Sequence, residues 1–77
     1  MIGTARFICK AKLIKDENGV QTCIGLDSDR IFYFEGQQRD DKALVGYEGS
    51  VYFYQNNRTS IERFEATRIK GNFHAAM

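Results

Sequence analysis

The sequence predicts a small all-β protein, with five short strands closed into a barrel and a short loop or helical turn between strands three and four. Three observations carry that reading. Residues 3–15 alternate apolar with polar or cationic side chains, the period of a half-buried strand. Turn residues punctuate the chain at short intervals although it has no proline. Two tetrads, Ile31-Phe32-Tyr33-Phe34 and Val51-Tyr52-Phe53-Tyr54, concentrate aromatic and β-branched side chains as strands do.

Along the first strand, Ala5, Phe7, Cys9, Ala11 and Leu13 form one face, and Arg6, Ile8, Lys10 and Lys12 the other. Its length suits a coiled strand shared between two sheets. Asp16-Glu17-Asn18-Gly19 is a hairpin turn, because Asn-Gly accepts positive φ. Val20, Thr22, Ile24 and Leu26 then alternate inward as strand two. Asp27-Ser28-Asp29 turns the chain into strand three, residues 30–35. Residues 36–48 are less regular, a loop with one helical turn that Leu44 and Val45 anchor to the core. Strand four covers residues 50–55. Residues 60–70 read as strand five, yet Ile61, Phe64, Ala66 and Ile69 fit strict alternation poorly. A bulge accounts for that, an amphipathic helix is the rival, and the pattern does not choose between them. Residues 1–70 form one domain and 71–77 a flexible tail. Closing the sheet removes exposed strand edges.

The chain has 77 residues, near the lower limit for folding on a single core. Ten aromatics supply enough burial to exclude disorder. No apolar run is long enough to span a membrane, and the N-terminus lacks the apolar core of a signal peptide, so the expected location is the cytoplasm. Cys9, Cys23 and His74 cannot make a four-ligand zinc site, and no cofactor is expected. Asp27, Asp29, Asp40 and Asp41 lack calcium-loop spacing and serve turns instead. With no nucleotide-binding glycine loop, one histidine and no clustered carboxylates, the chain reads as a non-enzyme.

Charge is unevenly placed. Residues 1–15 carry +4, residues 16–48 carry −5 and residues 49–77 carry +2, for a net +1. In the tetrads, if Ile31, Tyr33, Val51 and Phe53 fill the core, then Phe32, Phe34, Tyr52 and Tyr54 point out. That puts four rings beside Arg6, Lys10 and Lys12. Rings stack on bases and cations neutralise phosphates, the combination that single-stranded nucleic acid requires. The expected partner is single-stranded DNA or RNA. The alternative is a small protein-binding adaptor or inhibitor, of the kind phages encode, using the same rings; a homodimer that buries them is a third arrangement.

Short segments in the same order resemble the OB-fold, and within it the cold-shock domain. Residues Met1 to Phe7 resemble its opening M-x-G-x-V-K-W-F, and Asp29 to Phe34 its D-V-F-V-H strand. Tyr47-Glu48-Gly49-Ser50-Val51-Tyr52-Phe53 resembles E-G-x-x-V-x-F, and Ala66-Thr67-Arg68-Ile69 the closing A-x-N-V. Gly19 keeps the turn glycine of K-G-F-G-F-I, but Val20 to Ile24 lack both of that motif's aromatics. The resemblance implies an OB-like barrel, stacking by Phe32 and Phe34, and phosphate contacts from Lys10 and Lys12.

Overall fold

A computed structural model describes residues 4–56 and 58–67. The expected tail 71–77 lies outside the described residues, as do Arg68, Ile69 and Lys70 of the expected fifth strand. The chain is all-β, with strands β1 (Thr4–Glu17), β2 (Val20–Gly25), β3 (Ile31–Glu35), β4 (Glu48–Asn56) and β5 (Thr59–Ala66). A short 3-10 turn, Gly36–Gln38, follows β3. All pairings are antiparallel, in the order β3-β2-β1-β4-β5.

The β1–β2 hairpin turns through Asn18 (φ 54°) and Gly19 (φ 79°), the left-handed pair that matches strand twist. β1 is the shared strand: Ala11 to Glu17 pair with β2, and Thr4 to Lys12 pair with β4. Its register shifts between Phe7 and Cys9 and again between Leu13 and Lys15. Such shifts bend a strand and raise its twist, which lets one strand serve two halves of a curled sheet. Where β4 meets β5, Gly49 lies against Glu65 and Ala66 so closely that a Cβ would collide with their backbone.

The concave face holds the core: Ala11, Leu13, Cys23, Phe32, Phe34, Val51 and Phe64, with Ala43 from the loop. Phe32 stacks on Phe34, and Phe34 on Phe64 of β5 at 6.1 Å between ring centroids. These rings bring β3 and β5 together without a ladder, so the sheet curls but stays open between its two edges. Asp40 explains part of this. Its carboxylate accepts the Ala66 N–H at 2.8 Å, satisfying the β5 edge where a β3 backbone would otherwise pair.

One buried polar side chain fastens the loop. Gln21 is fully buried; its amide donates to the Asp40 carbonyl at 2.9 Å, and its side-chain oxygen accepts the Asp40 N–H at 3.0 Å. The Gln21 amide also donates to Asp16, which pairs with Arg39 at 3.2 Å. Both polar atoms of the buried Gln21 amide thus have partners, as burial demands.

Several expected orientations are corrected. In β1, the shift after Phe7 turns both Ile8 and Cys9 toward the core and leaves Phe7 54% exposed. In β2 the buried positions are Gln21 and Cys23, while Val20, Thr22 and Ile24 lie half-buried on the convex face and Leu26 is exposed. Ala43, not Leu44 or Val45, anchors the loop. Residues Thr59 to Ala66 are a strand with unbroken register, so neither bulge nor helix is present there. Alternation failed because Ile61 and Phe64 serve opposite faces.

Candidate functional site

The convex face of the sheet collects the side chains left out of the core. Cross-strand partners share a face. On that basis Lys10 lies beside Ser50, and Lys12 between Ile24 and Glu48. Tyr52 and Tyr54 follow Ser50 on the same side of β4, with Arg63 and Ile61 opposite them on β5. Phe7 pairs with Tyr52 and contacts it edge to face at 6.0 Å. Tyr52 and Tyr54 lie 6.1 Å apart, and the Arg63 guanidinium sits 5.1 Å from the Tyr54 ring centre. The Tyr54 hydroxyl donates to a Glu65 carboxylate oxygen at 2.5 Å. That bond, helped by desolvation, raises the Tyr54 pKa above its usual 10.0.

On the other side of the lysines, Ile31 and Tyr33 of β3 face outward opposite Ile24 and Thr22. Tyr33 is 66% exposed, the most exposed large apolar side chain described. It borders a shallow depression of about 200 Å³ with Lys15, Glu17, Asn18, Val20 and Thr22. The convex face therefore carries a lysine ridge on β1 with rings to either side.

Of the residues expected at the site, Lys10, Lys12, Tyr52 and Tyr54 come together. Phe32 and Phe34 do not, and their outward placement is a correction: they are 5% and 1% exposed. Register with Cys23 and Gln21 turns them inward. Packed against Phe64, they cannot present a face to a base. Arg30 also stacks over Phe32 at 4.7 Å. Arg6 is corrected too. It pairs with Phe53 on the opposite face, 5.9 Å from that ring's centre, and so lies away from the lysines. The residues the sequence reading missed are Tyr33 and Phe7. Tyrosine's hydroxyl was a usable signal for the first, since it favours a wet position over phenylalanine's. Nothing in the sequence marked the β1 shift that exposes Phe7.

The remaining chemistry is sparse. Cys9 and Cys23 are free thiols. Burial pushes the Cys23 pKa up to about 12 and also raises that of Cys9, so neither is a ready thiolate at neutral pH. Among the described residues no group of three or more His, Cys, Asp or Glu side chains could hold a metal ion. Among them, too, no helix is long and apolar enough to cross a membrane. Asp40 is committed to the backbone of Lys42 and Ala66. Compared with known protein families, characterised proteins and solved structures, the chain matches none.

Proposed function

We propose that this chain is a cytoplasmic, non-catalytic module that binds single-stranded nucleic acid across its convex face. The observation that supports this most is the register of Lys10 and Lys12, which sets two cations between Tyr33 on one side and the Phe7–Tyr52–Tyr54 cluster on the other. A strand of nucleic acid laid across the ridge would stack bases on both ring groups while its phosphates meet the lysines. Stacking is worth about 1–3 kcal/mol per base and tolerates any sequence. The curled, partly open five-stranded sheet is compatible with the OB-like resemblance, in which the face of strands two and three binds oligonucleotides.

The test is fluorescence anisotropy with a labelled single-stranded oligonucleotide at about 50 mM salt, where counterion release favours binding. Binding should weaken with salt, and the double variant K10A/K12A should flatten the log–log salt slope by about 1.4, roughly 0.7 for each lost phosphate contact. Y33A and Y52A should each weaken binding with the salt slope intact. No binding at low salt removes the proposal.

A second reading has its own support. Glu17, Glu35, Glu48 and Glu65 share the convex face by register, and Lys15 pairs with Glu17 at 3.7 Å. A face of rings with balanced charge also suits a protein partner, in line with the amphipathic anchors of protein interfaces. A purified protein free of nucleic acid that captures one specific protein through Tyr33 and Tyr52 would favour it.

A further inference from the structure

The molecule is elongated, 44 × 24 × 24 Å. The core occupies one end, around Leu13, Cys23, Phe34 and Phe64. Toward the other end the sheet continues as three strands only: the start of β1, the end of β4 and the start of β5, where Thr4 to Phe7 pair with Tyr52 to Gln55 and those with Ser60 to Arg63. None of these residues is fully buried. A three-stranded ribbon open on both faces is marginal in water.

The ribbon has two edges, the start of β1 and the start of β5. Thr67 donates its N–H to the Glu48 carbonyl, so odd-numbered residues of β5 bond to β4 and even-numbered ones point away. Ala66 fits that parity, since its N–H is taken by Asp40. Ser60, Glu62 and Phe64 have no ladder partner on that side among the described residues. Residues 39–42 lie against the Arg63–Glu65 end of β5, but among the described residues no strand pairs with Ser60 or Glu62 on that side, and no proline blocks them.

We infer that β5 is the pairing edge of a two-fold dimer, in which a second copy lays its own β5 antiparallel alongside. The occupant follows from charge along the strand. Centring the two-fold on Glu62 sets two glutamates opposite each other, and centring it on Arg63 sets two arginines opposite each other, both unfavourable. Centring it on Ile61 removes every directly opposed like-charge pair. Ile61 then faces the partner's Ile61, Ser60 faces the partner's Glu62, and Arg63 faces the partner's Thr59. Glu62 comes diagonal to the partner's Arg58, giving opposite charges twice by symmetry against one diagonal Glu62–Glu62 contact. A register centred on Ser60 shortens the overlap to the strand's first three residues. Centring the two-fold on Phe64 also overlaps five residues and sets Arg63 opposite the partner's Glu65, but it needs the Ala66 edge that Asp40 already occupies; the Ile61 register combines a five-residue overlap and matched charge with an edge that Asp40 does not hold. It makes a six-stranded ribbon with both Phe7–Tyr52–Tyr54 clusters on one face. The pairing does not depend on what those clusters bind.

Two measurements test it. Light scattering of the wild-type chain should give twice the 8.8 kDa of one copy. E62P removes an edge donor and leaves the β4 ladder intact, so it should halve the mass while circular dichroism keeps its strand signal. In the Ile61 register that residue is a non-hydrogen-bonded pair with Cα atoms about 4.5 Å apart, within disulfide reach. I61C should therefore cross-link to a reducible dimer under mild oxidation; E62C and the wild-type thiols should not. A mass of one copy at every concentration overturns the dimer. A dimer that survives E62P, or that cross-links through E62C but not I61C, overturns the edge and its register.

Discussion

β3 and β4 carry near-mirror tetrads, Ile31-Phe32-Tyr33-Phe34 and Val51-Tyr52-Phe53-Tyr54, and bury them in different ways. In β3 both phenylalanines go inside and the isoleucine and tyrosine go out. In β4 the valine is fully inside, Phe53 is half-buried, and both tyrosines look out. Aliphatic residues are thus sorted differently in the two strands, while the aromatic ring chemistry is sorted alike: phenylalanine toward the concave side, tyrosine toward the convex. A Tyr hydroxyl needs a partner or water, and the convex side offers both. The tetrads also differ in depth. Phe34 lies where β3 and β5 converge, and Phe53 lies where the sheet has thinned to three strands.

The largest expected effect tests that difference in depth. F34A should cost about 3–5 kcal/mol, since truncating a fully enclosed ring loses its transfer energy and leaves a cavity. For a domain this small, that is a large share of total stability. F53A should cost about 1 kcal/mol, because the ring is only partly withdrawn from water. Y33A should stay within about 0.5 kcal/mol. Urea unfolding of the three variants gives the ranking. A Y33A loss equal to that of F34A would break the comparison and restore the inverted phase of β3.

A second, smaller effect comes from the packed end alone. Q21L keeps the side-chain volume but strands the Asp40 N–H and carbonyl that Gln21 now satisfies. The cost should be about 1–3 kcal/mol, seen as a lower urea midpoint with an unchanged slope. Amide exchange should accelerate at Asp40 and Ala66 and stay unchanged at Tyr52 and Arg63. Equal acceleration at both ends would mean that the ribbon and the packed end open as one unit.

The open sheet was not legible in the sequence, but the number of strands and their succession along the chain, the Asn18-Gly19 hairpin, the long shared first strand and the turn after β3 were. Each rests on a local signal: turn chemistry or alternation within one segment. Phase was not legible, because it depends on pairing. A slip of one residue moves a whole strand's side chains to the other face. In β2, Gln21 reads as an outward residue until Asp40 is known to wait for it across the loop. In β1, the shift between Phe7 and Cys9 divides one alternating run into halves of opposite phase. The site was therefore half visible. Lys10 and Lys12 lie past the shift and were placed correctly relative to Tyr52 and Tyr54. Arg6 lies before it and was not. Tyr33 was misplaced with its strand, although the preference of tyrosine for the wet side was available from composition.

The smallest effect concerns how an outward ring is held. Tyr54 donates to Glu65 and lies under Arg63, whereas Phe53 carries the Arg6 guanidinium over its ring and has no hydroxyl to bond. The hydrogen bond to Glu65 raises the Tyr54 pKa, so the folded state favours the protonated phenol. Its contribution to stability is then full below pH 10.0, the ordinary tyrosine value, and is lost as pH rises through the higher folded value. Alkaline titration of tyrosinate absorbance should show one phenol ionising late, and Y54F should remove that late step. E65A should move it back toward the ordinary value. In parallel, the stability of the wild-type chain over Y54F should be greatest below pH 10.0 and shrink above it. An advantage that grows with pH, or a late step that persists in Y54F, would show that the hydroxyl is not what holds this ring, and that Tyr52 and Tyr54 face outward for reasons of packing alone.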